Sequence, residues 1–505
     1  MRLLVFSLLL ILATIFNTTP LSAQLKKEII GYYPNWKYYE RDNLIQPANF
    51  KFDKVTILNY SFFAPQDDGS IKSTDEYADG LLLKGAPDWD KGGFIPNTSL
   101  IDLAHKSNVR VFVSIGGWTL SDKFSDIAND AGKRAKFALN CVNLIKEYNF
   151  DGIDIDWEYP GFADHNGRPF DKVNYTKLMQ SIRTELNNHT KTTGKKYALT
   201  ACFSASPLHI VNVEVDKLIP ILDMFNIMTY DFSGSWDALS GHNSPLYSFS
   251  PASATSNFDA AFKMFHVANK VPADKINLGI AFYGRAFANC TGLGETHSGA
   301  DLVNFPNDEA APTYHEILTK INQYNRTWDD KANAPYLTGK TLKSFVTYDD
   351  EQSVSLKADY VIKNNAKGVI IWEISGDYVD KNTTPLQDQL NLVFRGLPNK
   401  YLGNVITSAE PASMANISSP NLSVFPNPSG GRQLEINIRD VHSAEVQVMV
   451  YDLIGNLHGS TKVKPSGESD SFKFNDLFQF KLNPGIYFLK MIDNEKDVIQ
   501  RFVVN

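Results

Sequence analysis

The sequence predicts an α/β fold: a (β/α)8 TIM barrel with a small α+β insertion subdomain, followed by a C-terminal β-sandwich-like module. Three observations carry this expectation. From Glu28 to about Gly396, eight short apolar runs recur, each β-branched or aromatic-rich and each closed by a Gly, Pro, Ser or Asp cluster. Between several of them lie amphipathic stretches, such as KRAKFALNCVNLIKEYNF, with apolar residues at every third or fourth position. After residue 420 the pattern alternates with a period of two and no helical stretch intervenes. Eight strand–helix units fit a closed parallel barrel, in which function sits at the C-terminal ends of the strands. An open doubly wound sheet is the alternative, but no Gly-rich phosphate loop follows any run.

The chain opens with Arg2, an apolar run from Leu3 to Phe16, and small residues at Ser22 and Ala23. That is the layout of a secretory signal peptide, expected to occupy residues 1–23; the run is too short to span a bilayer comfortably. No later stretch is long and apolar enough to span, so export as a soluble protein is expected. The eight runs are EIIGYYPNW, VTILNYSFFAP, VRVFVSIGGW, DGIDIDWEYP, YALTACFSASP, FNIMTYDFSG, INLGIAFYGRAF and KGVIIWEISGD, within a barrel unit assigned to residues 24–398. An insert of about sixty residues falls between the last two, far more than a usual α/β connection. This interval, about 288–346, contains YHEILTKINQY and KSFVTYDD and is expected to fold as a subdomain walling a cleft. A linker is assigned to 399–420 on the strength of SAEPASMANISSP. The module of 421–505 carries LEINIRD, EVQVMVYDLIG, FKFNDLFQF and GIYFLKMID, which alternate as sandwich strands do.

Composition bounds the function. Of 505 residues, 43% are hydrophobic, 21% charged and 12% aromatic, which describes a globular protein. Lys and Arg number 49 against 56 Asp and Glu, a net charge of −7, which argues against nucleic acid and for a neutral ligand. Three widely spaced cysteines, Cys141, Cys202 and Cys290, rule out a disulfide scaffold and leave one bridge open. No Cys or His pair has metal-ligand spacing, so no zinc site is expected.

The fourth run concentrates the chemistry. In DGIDIDWEYP, Asp154, Asp156 and Glu158 alternate with Ile153, Ile155 and Trp157. On a strand the acids face one way, roughly 6 to 7 Å apart per two-residue step. The apolar set is expected against the helices and the acids inside the barrel, the last nearest its mouth. Asp151 has the opposite parity and reads as structural. Like charges this close cannot all stay ionised when buried, so protons are shared and one carboxyl is kept as a general acid. A solvated face would not alternate with Ile, Ile and Trp, and no second ligand cluster supports a metal.

The stretch DGIDIDWE resembles the signature of glycoside hydrolase family 18, the chitinases and their relatives. SIGGW, MTYD, YGR, YDD and WE resemble further landmarks in the same order, and the interval after the seventh run resembles the chitinase insertion domain. The resemblance implies substrate-assisted retaining catalysis without metal or cofactor, in which the substrate's acetamido oxygen attacks the anomeric carbon. It implies that Glu158 protonates the leaving oxygen and later activates water. Asp156 would orient the acetamido group and Asp154 exchange a proton with it. Tyr230 would hydrogen-bond the acetamido carbonyl.

Seven aromatic residues, Tyr32, Trp36, Phe62, Trp118, Trp236, Tyr283 and Trp372, fall at or just beyond strand ends, where flat rings suit the C–H faces of sugars. By resemblance Trp372 forms the floor beneath the reacting sugar, and Trp36, Trp118 and Trp236 line flanking subsites. Gly117, Met228, Asp231 and Arg285 match further family positions at the sugar or the acids. Met228 as core filler and Asp231 with Arg285 as a structural ion pair stay open as alternatives. Tyr348, Asp349 and Asp350 are assigned to fold support. The expected ligand is chitin or chitooligosaccharides. An endo-β-N-acetylglucosaminidase acting on glycoprotein glycans and a non-catalytic lectin are the competing readings.

Residues 421–505 resemble the type IX secretion sorting domain through VFPNPSGG, VMVYDLIGNL, LNPGIYFLKM and RFVVN, with Arg501 where lysine is common. That implies the type IX machinery as a partner and export through the periplasm to the surface or medium. A carbohydrate-binding sandwich is the alternative, opposed by the absence of tryptophan from the module.

Overall fold

The computed structural model describes residues 27–41, 44–250, 252–402, 421–425, 434–439, 445–452, 456–465, 469–493 and 496–504. The expected signal peptide (1–23) and nearly all of the expected linker (399–420) lie outside them. The described residues fall into two compact units, within 25–411 and 412–505.

The first unit is a closed barrel of eight parallel strands: β1 (Glu28–Pro34), β2 (Ile57–Pro65), β3 (Arg110–Gly116), β4 (Gly152–Asp156), β5 (Ala198–Ser204), β6 (Met224–Met228), β7 (Ile276–Ala281) and β8 (Gly368–Trp372). Each strand pairs with the next in sequence. β8 returns to β1 with Glu28 opposite Gly368 and Gly31 opposite Ile371. Helices surround it, among them Leu100–Lys106, Ala131–Tyr148, Asp171–Thr193, Glu351–Lys363 and Pro385–Phe394. Several start where a side chain takes up an unpaired first-turn N–H: Ser99 accepts from Asp102, Asp130 from Lys133, and Asp350 from Gln352 and Ser353.

Strand parity divides the barrel into two cores. Outward residues such as Ile153, Ile155, Trp157, Val113 and Leu199 pack with the helices in one large buried cluster. Inward, Ile30, Ile57, Phe112, Met224 and Ile370 plug the barrel. Two residues further along these strands the interior changes character: Asn59, Ser114 and Asn226 follow Ile57, Phe112 and Met224, and all are buried. The polar site is built on that apolar plug.

Between β7 and β8 a four-stranded antiparallel sheet forms from Arg285–Ala288, Ser344–Thr347, Ala334–Gly339 and Tyr324–Asp329, with helix Tyr314–Lys320. Asp349 and Lys357 form an ion pair at 2.6 Å with both side chains fully buried. Asp350 caps its helix and pairs with Arg326 at 2.6 Å.

In the second unit two sheets, 421–425/435–439/469–473 and 446–452/457–463/485–493/496–504, share one apolar core including Ile436, Val448, Leu489 and Phe502. The expectation of uninterrupted strands here needs one correction. Within FKFNDLFQF the chain leaves its strand at Lys473 and makes a helical turn, Phe474–Leu477. Phe474 and Phe478, four residues apart, both enter the core on one face of that turn. Cys141, Cys202 and Cys290 are all buried and unpaired, so the bridge left open by the sequence is not formed.

Candidate active site

β4 carries the three acids to the mouth. Asp154, fully buried on the interior face, accepts hydrogen bonds from side chains of four other barrel strands. Tyr32 Oη (2.7 Å) and Ser114 Oγ (2.8 Å) reach its Oδ2, while Thr200 Oγ1 and Asn226 Nδ2 (3.0 Å) reach its Oδ1. Asn277 Nδ2 in turn donates to Asn226 Oδ1 at 2.9 Å. Burial raises the Asp154 pKa, and these donors oppose the rise.

Asp156 sits one step nearer the mouth with less support: its buried Oδ1 has no partner. Burial, then the charges of Glu158 and Asp154, raise its pKa well above the usual range, with only the Cys202 thiol donating against that. Glu158 lies just past the strand end. Burial pushes its pKa up to about 7, opposed by a bond from Tyr159 and assisted by the charge of Asp231. A carboxyl with that pKa still carries a proton in much of the population at neutral pH and can deliver it.

The peptide of Glu158 is held at both ends. Its N–H donates to Ser121 Oγ at 2.8 Å, and its C=O accepts from His165 Nδ1 at 2.7 Å. Gly116 and Gly117 make room for the strand end. Both have positive φ, 111° and 95°, and a Cβ would lie 2.1 Å from Asp156 O in the first and 2.8 Å from the Phe62 ring in the second. Asp151, at the other end of β4, bonds His105, Val111 N–H and Lys195, which is a structural position.

Aromatic rings line the mouth. Trp372, ending β8, lies against Tyr32 (centroids 5.7 Å) and Phe62 (5.8 Å, stacked), and Phe62 meets Trp36 at 6.2 Å. Trp36, Trp118 and Trp236 stay 42%, 53% and 59% exposed, unusual for indoles that serve only packing. Tyr230 meets Tyr283 at 6.0 Å, and glycine at 279 leaves room for the Tyr230 ring, 2.6 Å from where a Cβ would stand. Arg285 bonds Asp231 through Nε at 2.9 Å and lies over the rings of Trp236 (4.9 Å) and Tyr283 (5.5 Å). Asp231 and Arg285 do form an ion pair, and it lies at the mouth beside Glu158. Met228, half-buried, packs against the interior plug.

Strand-end motifs point to the acids and the rings. They do not point to Thr200, Asn226, Asn277 and Cys202, which surround the acids from β5, β6 and β7. Inward parity on those strands was the available signal, since polar residues at interior positions of predicted strands need partners. His165 and Ser121 carry no such signal, because loop geometry alone brings them to Glu158.

Comparison with known proteins places the barrel and the C-terminal unit in known families. The family model described as Glycosyl hydrolases family 18 matches residues 28–377, and a Secretion system C-terminal sorting domain matches 423–505. Chitinase A1 of Niallia circulans is 34% identical over 432 residues, 76% of this chain and 61% of that protein. Chitinase 1 of Aphanocladium album is 31% identical over 71% of this chain and 85% of that protein. The crystal structure of Ostrinia furnacalis Group II chitinase catalytic domain 2 superposes with a TM-score of 0.65 at 27% identity, covering 74% of this chain and 97% of that one. Among the described residues no helix is long and apolar enough to cross a membrane.

Proposed function

The chain belongs to glycosyl hydrolase family 18, and on that premise we propose that it hydrolyses β-1,4 bonds between N-acetylglucosamine units of chitin with retention at the anomeric carbon. The observation that carries the reading is the graded set of carboxyls on and just past β4: one held by four donors, one buried with an open oxygen, and one at the mouth whose burial pushes its pKa up to about 7.

Each position suits one step. Glu158 donates its proton to the leaving glycosidic oxygen, and the resulting carboxylate then takes a proton from water. The substrate's acetamido oxygen attacks the anomeric carbon, so no enzyme nucleophile is needed. Asp156, whose Oδ1 has no protein partner, accepts the acetamido N–H and stabilises the oxazolinium charge. Asp154, held by four donors, tolerates taking up charge as a proton passes between it and Asp156. Tyr230 donates to the acetamido carbonyl where charge develops. Trp372 on its Tyr32 and Phe62 supports is the floor, and Trp36, Trp118 and Trp236 offer flanking platforms for further sugars. Gly117, Met228, Asp231 and Arg285 complete the contact set.

The sorting domain is read as the address that takes the enzyme, by the type IX route through the periplasm, to the cell surface or medium, where an insoluble polysaccharide would be met. The test is product analysis of chitohexaose with the full chain, wild type beside Glu158→Gln, the anomer followed by NMR. Shorter β-anomeric oligomers from wild type alone are expected. A wild type that binds the oligomer and leaves it intact would overturn the reading in favour of a non-catalytic lectin.

A further inference from the structure

The loop after β4 brings one side chain against both the acid and a sugar platform. His165 ends the short turn Ala163–His165 and is half-buried. Its Nδ1 lies 2.7 Å from the carbonyl oxygen of Glu158. A carbonyl only accepts, so Nδ1 carries the hydrogen and the ring orientation is set by that bond. The same ring meets Trp118 at 4.2 Å between centroids and 64° between planes, and Phe162 at 5.4 Å. Trp118 keeps more than half its surface open, and the imidazole meets it in an edge-type contact. Trp118 also begins the turn Trp118–Lys123 that contains Ser121, whose Oγ accepts the N–H of Glu158. Acid and platform are therefore joined through Ser121 by the chain and through His165 by the ring, and Tyr159, next in the chain to Glu158, meets Trp118 at 6.4 Å as well.

We propose that His165 is a positioning residue that sets the proton donor and the Trp118 platform against each other, so that a sugar seated on Trp118 presents its glycosidic oxygen at the Glu158 carboxyl. The inference rests on the reading of Glu158 as the proton donor. Two separable contacts give it two separable effects. The bond to the Glu158 carbonyl governs where the carboxyl stands at the moment of transfer, which is a kcat effect, since small displacements of a reacting group cost rate steeply. The ring contact governs how firmly Trp118 is presented, which is a KM effect.

The experiment measures kcat and KM on chitohexaose for the full chain carrying His165→Ala or His165→Gln, with melting temperatures to show that each is folded. The alanine variant loses both contacts, and kcat is expected to fall about tenfold while KM rises severalfold. Glutamine keeps an amide donor within reach of the carbonyl and has no ring, so kcat is expected to recover to within about threefold of wild type while KM stays raised. Folded variants in which the two substitutions behave alike, or in which neither constant moves more than about twofold, overturn the proposal. Glu158→Gln, assayed alongside, separates the failures: if that variant keeps wild-type activity, the underlying reading of the acid has failed rather than the role of His165.

Discussion

Replacing Glu158 by glutamine should stabilise the barrel at high pH even as it removes the proposed proton donor. Glutamine is nearly isosteric with a protonated glutamate and cannot ionise. In the folded protein the Glu158 pKa is raised from 4.5 to about 7, chiefly because the carboxylate is buried. The native state thus holds this proton more tightly than the unfolded chain, and the group's contribution to stability is complete below about pH 4.5 and lost as pH rises through 7. At 1.36 kcal/mol per unit, a shift of about 2.5 units corresponds to about 3 kcal/mol. Unfolding entropy near 2.1 cal/mol/K per residue over the ~390 residues of the unit within 25–411 is about 0.8 kcal/mol/K, so the difference appears as about 4 °C in Tm. The assay is calorimetric melting of both full chains from pH 4.5 to 9. The Tm of Glu158→Gln minus that of wild type should climb by about 4 °C between pH 4.5 and 7.5 and then level off. Any packing penalty of the amide adds a pH-independent offset and leaves the climb intact. A difference that stays flat with pH, or falls, refutes the argument that Glu158 is buried at a cost to its charged form.

Further outcomes rest on the same geometry. On the proposed mechanism Glu158 must be protonated, so kcat/KM should decline on an alkaline limb near pH 7, and Glu158→Gln should lower kcat about 10²- to 10⁴-fold, read by reducing-end release. The Asp231 charge helps to raise the Glu158 pKa, so Asp231→Asn should move that limb to lower pH; an unmoved or raised limb contradicts the coupling. Gly117→Ala forces φ of 95° on alanine and drives a methyl into the Phe62 ring, which should cost about 1–3 kcal/mol in denaturant unfolding and raise KM by tilting Trp372, the proposed floor stacked on Phe62. Lys357→Met leaves the buried Asp349 charge uncompensated and should destabilise by about 3–5 kcal/mol, with Lys357→Met/Asp349→Asn recovering part of the loss; a double variant worse than the single one excludes the buried pair as the cause.

Local pattern alone determined a good deal of this protein. Eight short apolar runs, separated by helical periods, are enough to predict eight parallel strands, because a strand covered on both faces reads as a nearly continuous apolar run. Strand parity places Asp154 and Asp156 inside and Ile153, Ile155 and Trp157 outside, since a strand offers no other choice. Aromatic residues just past strand ends were legible as a mouth for the same reason. The helical turn at Phe474–Leu477 was not, because Phe474 and Phe478 satisfy a two-residue period as well as a four-residue one, and only the shared sandwich core chooses between them. What tertiary structure decided is the inequality among the three acids. Their spacing in the sequence is uniform, yet Asp154 meets four donors from β1, β3, β5 and β6, Asp156 keeps an oxygen without a partner, and Glu158, just past the strand end, is buried beside the charge of Asp231. Those donors come from positions 32, 114, 200 and 226, up to 122 residues away in the chain. A carboxyl's pKa is set by what surrounds it in space, and only closure of the barrel brings that surrounding together.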